Sequence, residues 1–345
     1  ITTDYFSGDQ IYEILQLINY VEKYYGKTKI PLYVSLGKTT FADKLVYIIL
    51  ENICWYMIFK KRQDFRIYFI PEYTIWSEGI SFSPLGYTNT PQIFKTKYLK
   101  DLSGRHYRKI ITKTTEENSI YLSNLMQEIR CFLENNMVEQ NTCNELSEVL
   151  VELVGNAGEH TGTECLIDID ITETWHGRDD STAKYYGMNA VILNYSPILF
   201  FEPLKKKLEG NINLSDRYNL ILQAKKLHFN QPHKKYDQND FYTVSSFQHK
   251  ISGSEKKQKL GGTGLTSLIK SLEEKSDSNL CYMLSGHRIL FFFHEYLKYD
   301  NNNFIGFNEQ GDFLSYIPDE SIFSSIITNI PGTAYNLNFA IKKEE

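Results

Sequence analysis

The chain lacks most of the features that announce a compartment or a cofactor frame. Cysteine is scarce: Cys54, Cys131, Cys143, Cys165 and Cys281 are five in 345 residues, odd in number, scattered and without a C-x-x-C pair. That excludes a disulfide framework and a thiolate zinc site, and reads as core thiols in a reducing compartment. Long apolar runs are missing too. The stretch 45–59 is short and is interrupted by Glu51 and Asn52, so no membrane span is expected. Positive charge is not in excess. A formal net charge of −5 excludes a surface built wholly for nucleic acid. No leader pattern opens the chain as given, and the cytoplasm is the expected location.

What the chain does have is 25 Tyr and 21 Phe, and enough length for one large domain or two. Residues 10–25 carry helical periodicity (Ile11, Ile14, Leu15, Ile18, Val21) closed by Gly26. Residues 30–35 alternate as a strand, 39–61 read as a long helix apolar nearly all round, and 65–70 as a second strand. Strand, helix and strand suggest a β-α-β unit with parallel pairing, loosely similar to STAS-like regulatory domains. Residues 95–113 interleave Lys95, Lys97, Lys100, Arg105, Arg108, Lys109 and Lys113 with Phe94, Tyr98, His106 and Tyr107. Such a pattern can follow a phosphate backbone, but is more often the wet face of strands or a partner contact. Polar residues 114–118 mark the expected domain boundary, giving an N-terminal α/β domain over 1–114 and a second domain over 115–345.

In the second part, 119–138 is an amphipathic helix, followed by the helix 145–161. There Leu146, Val149, Leu150, Leu153 and Val154 form one apolar stripe. Glu152, Asn156 and Glu159 or His160 form a polar row on another face, because residues three or four apart on a helix are neighbours. A carboxylate and a carboxamide one turn apart suit a hard cation and a water that needs orienting. The plainer reading is an amphipathic helix with a solvated acidic face. An alternating strand follows at 165–172, then an apolar strand at 190–195 with Asn194 near its end. Helices are expected at 200–208, 217–228 and 266–274, and strands at 280–285 and 288–294. The polar stretch 225–259 reads as a lid. It leads into Gly261-Gly262-Thr263-Gly264-Leu265-Thr266, whose glycines let backbone N–H groups approach an anion at a helix N-terminus. No G-K-[ST] follows, so a P-loop is excluded, and no strand precedes, so a dinucleotide fingerprint fits poorly. Pro331-Gly332-Thr333 reads as a turn before a final alternating strand.

The order of these pieces resembles the GHKL ATPases: gyrase B, heat-shock chaperones, histidine kinases and MutL, with the anti-sigma-factor serine kinases closest in motif. The resemblance covers residues 119–345. It implies an α/β (α+β sandwich) fold, with a mixed sheet covered by helices, and an ATP and Mg²⁺ site. By position Glu152 is the implied general base and Asn156 the Mg²⁺ ligand. Glu159, His160, Asn194, Gly261, Gly262, Thr263, Gly264, Leu265, Thr266 and Thr333 are the implied nucleotide contacts. Lys256, Lys257 and Lys259 of the lid are further candidates for the phosphates. The sequence departs from the family where D-x-G-x-G is usual: here the strand ends Asn194-Tyr195-Ser196-Pro197. An Asn carbonyl can still accept from the adenine amine.

Two functions follow as expectations. One is a Mg²⁺-dependent ATPase or protein kinase acting as a regulatory switch on a protein partner, in bacterial regulation or phage defence. The other is a non-hydrolysing, nucleotide-gated interaction protein. A homodimer is compatible with either, and nucleic acid binding through residues 95–113 is the minor alternative.

Overall fold

The computed structural model describes residues 5–26, 28, 30–37, 39–69, 74–75, 84–112, 119–161, 163–176, 184–210, 214–230, 235–253, 264–276 and 281–342. The chain starts with β1 (Tyr5–Phe6) and α1 (Gly8–Tyr25). Helix α1 is opened by a capping box between Ser7 and Gln10, and it buries Ile11, Ile14 and Ile18. Next come β2 (Leu32–Leu36), β3 (Thr39–Phe41), α2 (Lys44–Trp55), β4 (Phe65–Phe69) and β5 (Thr74–Ile75). The Asp43 carboxylate caps α2 by accepting from the Val46 amide at 2.9 Å. Strands β2 and β4 pair in parallel with Leu32 opposite Phe65, so the expected β-α-β unit is present. The long helix expected from residue 39 starts later, because Thr39–Phe41 is a strand paired with β1 and β5. It ends in a π-turn at Tyr56–Lys60.

After α3 (Pro91–Leu99), a hairpin of β6 (Lys100–Ser103) and β7 (His106–Ile111) turns at Gly104, whose φ is +55°. Then follow α4 (Ser119–Asn135), α5 (Gln140–Thr161), β8 (Cys165–His176) and β9 (Lys184–Asn194). Three helices come next: α6 (Glu202–Gly210), α7 (Asp216–His228) and α8 (Gln238–Ser246). The chain closes with α9 (Gly264–Lys275), β10 (Tyr282–Phe291) and β11 (Phe323–Lys342).

Six strands form the main sheet in the order β10-β11-β9-β8-β7-β6, and every neighbouring pair is antiparallel. The α+β architecture is as expected, but the sheet expected to be mixed is antiparallel throughout, and among the described residues parallel pairing occurs in the two small N-terminal sheets. Alternation along the strands splits the core in two. Ile167, Ile169, Ile171, Ala190, Ile192, Tyr335 and Leu337 face one core with α4, α5 and α9. Leu166, Val191, Leu193, Leu284 and Ala334 face the other, with α1 and α2. The sheet is thus the middle layer of three.

Four sequence expectations need correction. The boundary near residue 114 does not separate two sheets, because β6 and β7 lie before it and form the edge of the main sheet. The N-terminal helices bury their apolar faces on that same sheet. The lid 225–259 is not one long loop: α8 lies inside it with Phe241, Tyr242, Val244 and Ser245 buried. Its N-terminus is fixed by a capping box between Asp237 and Asp240. Pro331-Gly332 is not a turn but a bulge within the continuous β11, where the register against β10 shifts between Ile330 and Thr333. Lastly, the two strands expected at 280–294 are one, β10, bent at Gly286 where φ is +65°.

Candidate functional site

Helix α5 is held by its apolar stripe. Leu146, Val149, Leu150, Leu153 and Val154 are all buried, which turns Glu152 and Asn156 along one half-buried edge. Both line a pocket with a cavity volume of about 90 Å³, open to solvent on one side. The opposite rim is the start of α9, where Gly264 and Leu265 reach the same space. The floor is the end of the sheet. Asn194 is the last residue of β9 and pairs directly with Thr333 of β11, so both side chains emerge on one face with Ile192 and Tyr335 beneath. The far wall is apolar: Leu199, Phe200, Pro203, Leu204 and Ile251.

Close packing requires glycine at 264 and at 332. A Cβ on Gly264 would lie 1.8 Å from Glu152 Cγ and 2.6 Å from its Oε1. A Cβ on Gly332 would lie 2.0 Å from the Asn194 carbonyl oxygen, and the φ there is +91°. Gly332 is also held from below, since the Ser285 hydroxyl donates to its carbonyl at 2.7 Å. The same hydroxyl accepts from the Phe200 amide at 3.0 Å, which joins the floor to the apolar wall. The Asn194 carboxamide is tied on one side: Nδ2 donates to Thr163 Oγ1 at 2.8 Å and to the Glu164 carbonyl at 3.1 Å.

The structure therefore brings together Glu152, Asn156, Asn194, Gly264, Leu265 and Thr333. Thr266 is instead buried under the first turn of α9, with its hydroxyl 3.3 Å from His249 Nδ1. Glu159 and His160 continue α5, but their side chains lie outside the described residues. Gly261, Gly262, Thr263, Lys256, Lys257 and Lys259 also lie outside them. Sequence reasoning missed the wall residues from the segment after β9 and Ser246, Ser252 and Gly253 after it. The Gly253 signal was present: a Cβ there would meet Pro203 Cβ at 2.6 Å, so the chain needs glycine to close against α6.

The opposite face of the sheet carries a second polar group, absent from the sequence reading. Lys44 Nζ lies 2.7 Å from Asp168 Oδ1 and 2.5 Å from Asp170 Oδ2. Arg108 binds Asp168 through Nε and Glu51 through Nη2, the latter at 2.5 Å, and His106 Nε2 is 3.0 Å from Asp168 Oδ2. All six side chains are buried. Burial pushes the Glu51 carboxyl up to about 7, with Arg108 only partly offsetting it. Burial also opposes ionisation of Asp168, but Arg108, Lys44 and His106 outweigh it and hold that carboxyl well below the usual range. His106, Asp168 and Asp170 have the spacing of metal ligands. The Lys44 ammonium and the Arg108 guanidinium together balance the two carboxylates, so the donor set suits an internal ion network better than a cation.

Three of the seven basic residues in the stretch 95–113, Lys97, Arg108 and Lys109, are engaged in ion pairs. Arg108 is buried, and Lys109 Nζ pairs with Glu128 at 2.8 Å. Lys97 faces Asp101 at 3.8 Å, and Lys113 lies outside the described residues. Among the described residues, no helix is long and apolar enough to cross a membrane.

No family model matches the chain, and neither does any curated protein or any solved structure.

Proposed function

We propose that the chain is a nucleotide-binding protein of GHKL type, which binds ATP with Mg²⁺ in the pocket between α5, α9 and the ends of β9 and β11. It acts as a regulatory switch on a protein partner, and Glu152 supports hydrolysis or phosphoryl transfer. The observation that carries this reading is convergence. Residues chosen by motif from three distant stretches, around 152–156, 264–265 and 194 with 333, line one cavity.

The pocket's own chemistry fits such a ligand. Ile192, Tyr335, Phe200, Leu204 and Ile251 offer apolar surface that excludes water from a flat ring. Asn194 and Thr333 supply polar atoms at the inner end of that surface. At the other end, the first turn of α9 offers backbone N–H groups and the positive end of a helix dipole, suited to phosphate. Gly264, with no Cβ, keeps that turn in contact with Glu152. Asn156 supplies an amide oxygen of the type a hard cation accepts, and Mg²⁺ held there would neutralise phosphate charge. Glu152 is one turn from Asn156 and takes the role of proton acceptor for a water or a partner's hydroxyl.

Calorimetric titration with ATP and a non-hydrolysable analogue in Mg²⁺, beside Asn156→Ala, tests the reading. Binding by the wild type and loss of the Mg²⁺-dependent part of the affinity in the variant are expected. A wild type that binds no purine nucleotide overturns it. Phosphate release then separates an enzyme from a switch that binds without turnover.

A further inference from the structure

We propose that the chain carries a second small-molecule site, on the face of the main sheet turned toward α2, which takes an organic monocation: a primary ammonium on a flat apolar body. The site shares no lining residue with the pocket between α5 and α9 and stands without the nucleotide reading.

Its shape follows from where three strands end. Ile110 of β7 pairs with Leu166 of β8, and Leu166 with Leu193 of β9, so the three lie in one row across the sheet. Strand alternation turns that row toward α2, and Leu166 and Leu193 belong to the core on that side. Two residues beyond the row, toward the strand ends, Thr112, Glu164 and Tyr195 follow on the same face. The helical layer supplies the roof, with Asn52 in the last turn of α2 and Tyr98 near the end of α3. Together these groups line a cavity of about 500 Å³, open to solvent and within the size range of small-molecule sites.

The roof is fixed by the fold itself. Tyr98 Oη donates to Asn52 Oδ1, and Asn52 Nδ2 donates to the Ile48 carbonyl at 2.7 Å. The Trp55 ring stacks on Tyr98 with centroids 4.4 Å apart. Both ends of the amide are thus engaged within the protein, which leaves shape and charge to choose the ligand. Burial raises the Tyr98 hydroxyl well above the ordinary 10.0 and raises that of Tyr195 as well, so both phenols are neutral. The Glu164 carboxylate is then the one charged group among the lining residues, and its side chain is exposed at the mouth.

A single carboxylate beside two tyrosine rings favours positive charge. An ammonium is attracted by the carboxylate and by the negative face of an aromatic ring, whereas a ligand carboxylate is repelled by both. The row Ile110, Leu166 and Leu193 gives an apolar ring a surface from which water is excluded. The ligand class is therefore an amine on an aromatic or similarly flat body.

The test is calorimetry on the full chain with three probes of one shape: tryptamine, tryptophol and indole-3-propionate, which end in an ammonium, a hydroxyl and a carboxylate. Thermal melting checks that each variant is folded. Wild type should bind tryptamine with a Kd of about 1 mM or tighter, the strength expected of so small a ligand. Tryptophol should bind about fivefold more weakly, the value of one solvent-exposed ion pair, and indole-3-propionate more weakly still. In Glu164→Gln the preference for tryptamine over tryptophol should fall to near one, and in Glu164→Lys indole-3-propionate should bind more tightly than tryptamine. Both substitutions fall on an exposed side chain and keep the backbone carbonyl that accepts from Asn194. Asn156→Ala should leave all three affinities unchanged, because Asn156 lines the other pocket alone. Absence of tryptamine binding by wild type overturns the site. Equal binding of tryptamine and tryptophol, or a preference that survives Glu164→Gln, overturns the selection of a cation. Tryptamine binding lost in Asn156→Ala would put the probe in the pocket between α5 and α9 and overturn the second site as well. None of these outcomes depends on whether that other pocket takes a nucleotide.

Discussion

Glu152 on α5 and Gly264 at the start of α9 are in contact so close that any side chain on Gly264 would overlap the Glu152 side chain: a Cβ would fall 1.8 Å from Cγ. The contact sets the distance between the proposed proton acceptor and the helix end that would face phosphate. Gly264→Ala must therefore displace the carboxylate or tilt α9. We expect it to lower stability by about 1–3 kcal/mol, the range for overpacking. Nucleotide affinity and turnover should fall further than that loss accounts for. Urea unfolding beside ATP titration checks both, and a variant with unchanged stability and affinity would show that the contact is slack.

Glu152→Gln keeps the size and hydrogen-bonding reach of the side chain and removes its basicity. If Glu152 accepts a proton in the reaction, phosphate release should drop by about 10²–10⁴-fold, the usual value of a positioned acid or base, with ATP affinity nearly unchanged. Unchanged turnover would assign the proton to another group. Equal losses in affinity and rate would make Glu152 a binding residue.

Much of the site was legible because its parts obey local rules. The row Glu152–Asn156 follows helical spacing, and the apolar stripe that orients it is present in the same seventeen residues. Asn194 shows as a polar residue at the end of an apolar strand, and Gly264 as the last glycine before a helix. What was not legible depends on layers far apart in the chain. Residues 165–172 alternate as a half-buried strand should, and alternation predicts that Asp168 and Asp170 face water. They are instead covered by α2, more than a hundred residues earlier, which brings Lys44 to meet them. The available hint was Lys44 and Glu51 in a helix otherwise apolar nearly all round. Helix α8 was missed for the opposite reason. Its sequence, Q-N-D-F-Y-T-V-S-S, is too polar to announce burial, yet Thr243 and Ser245 are enclosed once the chain folds over them.

Arg108 joins the two sides of this interface, with one nitrogen on Asp168 of β8 and another on Glu51 of α2. Replacing it by methionine fills much of the volume but leaves two carboxyl groups buried beside each other. A cost of about 3–5 kcal/mol in urea unfolding is expected, the range for breaking a buried pair from one side. Glu51→Gln should cost less, because the amide oxygen can still accept from Arg108 and burial already makes the charged carboxylate costly at that position. Similar losses in the two variants would mean that packing, not charge, holds α2 to the sheet.

The same network gives stability a direction in pH. The charged and titratable groups facing His106 are Asp101, Asp168, Asp170 and Arg108, with Lys44 bound to Asp168 and Asp170 and Glu51 bound to Arg108. Burial works against a charged His106, yet the Asp168 carboxylate raises its pKa above the ordinary 6.5. Burial raises Glu51 from 4.5 to about 7. Each group thus holds its proton more tightly in the folded chain than in the unfolded one. A raised folded pKa stabilises below the unfolded value, and that contribution is lost as pH rises through the folded value. For Glu51 the loss runs from 4.5 to about 7, and for His106 it begins near 6.5 and continues upward. Asp168, held low, has the opposite sign: its contribution is complete above 3.8 and is lost only in stronger acid. Comparing variants isolates these terms from the rest of the chain. The urea midpoint of wild type, measured relative to Glu51→Gln, should decline as pH is raised from about 5 to about 7. Relative to His106→Gln, the decline should begin near neutrality instead. A relative midpoint that climbs over either interval would mean that the folded chain binds the proton less tightly than the unfolded one, and would remove this network from the account of its stability.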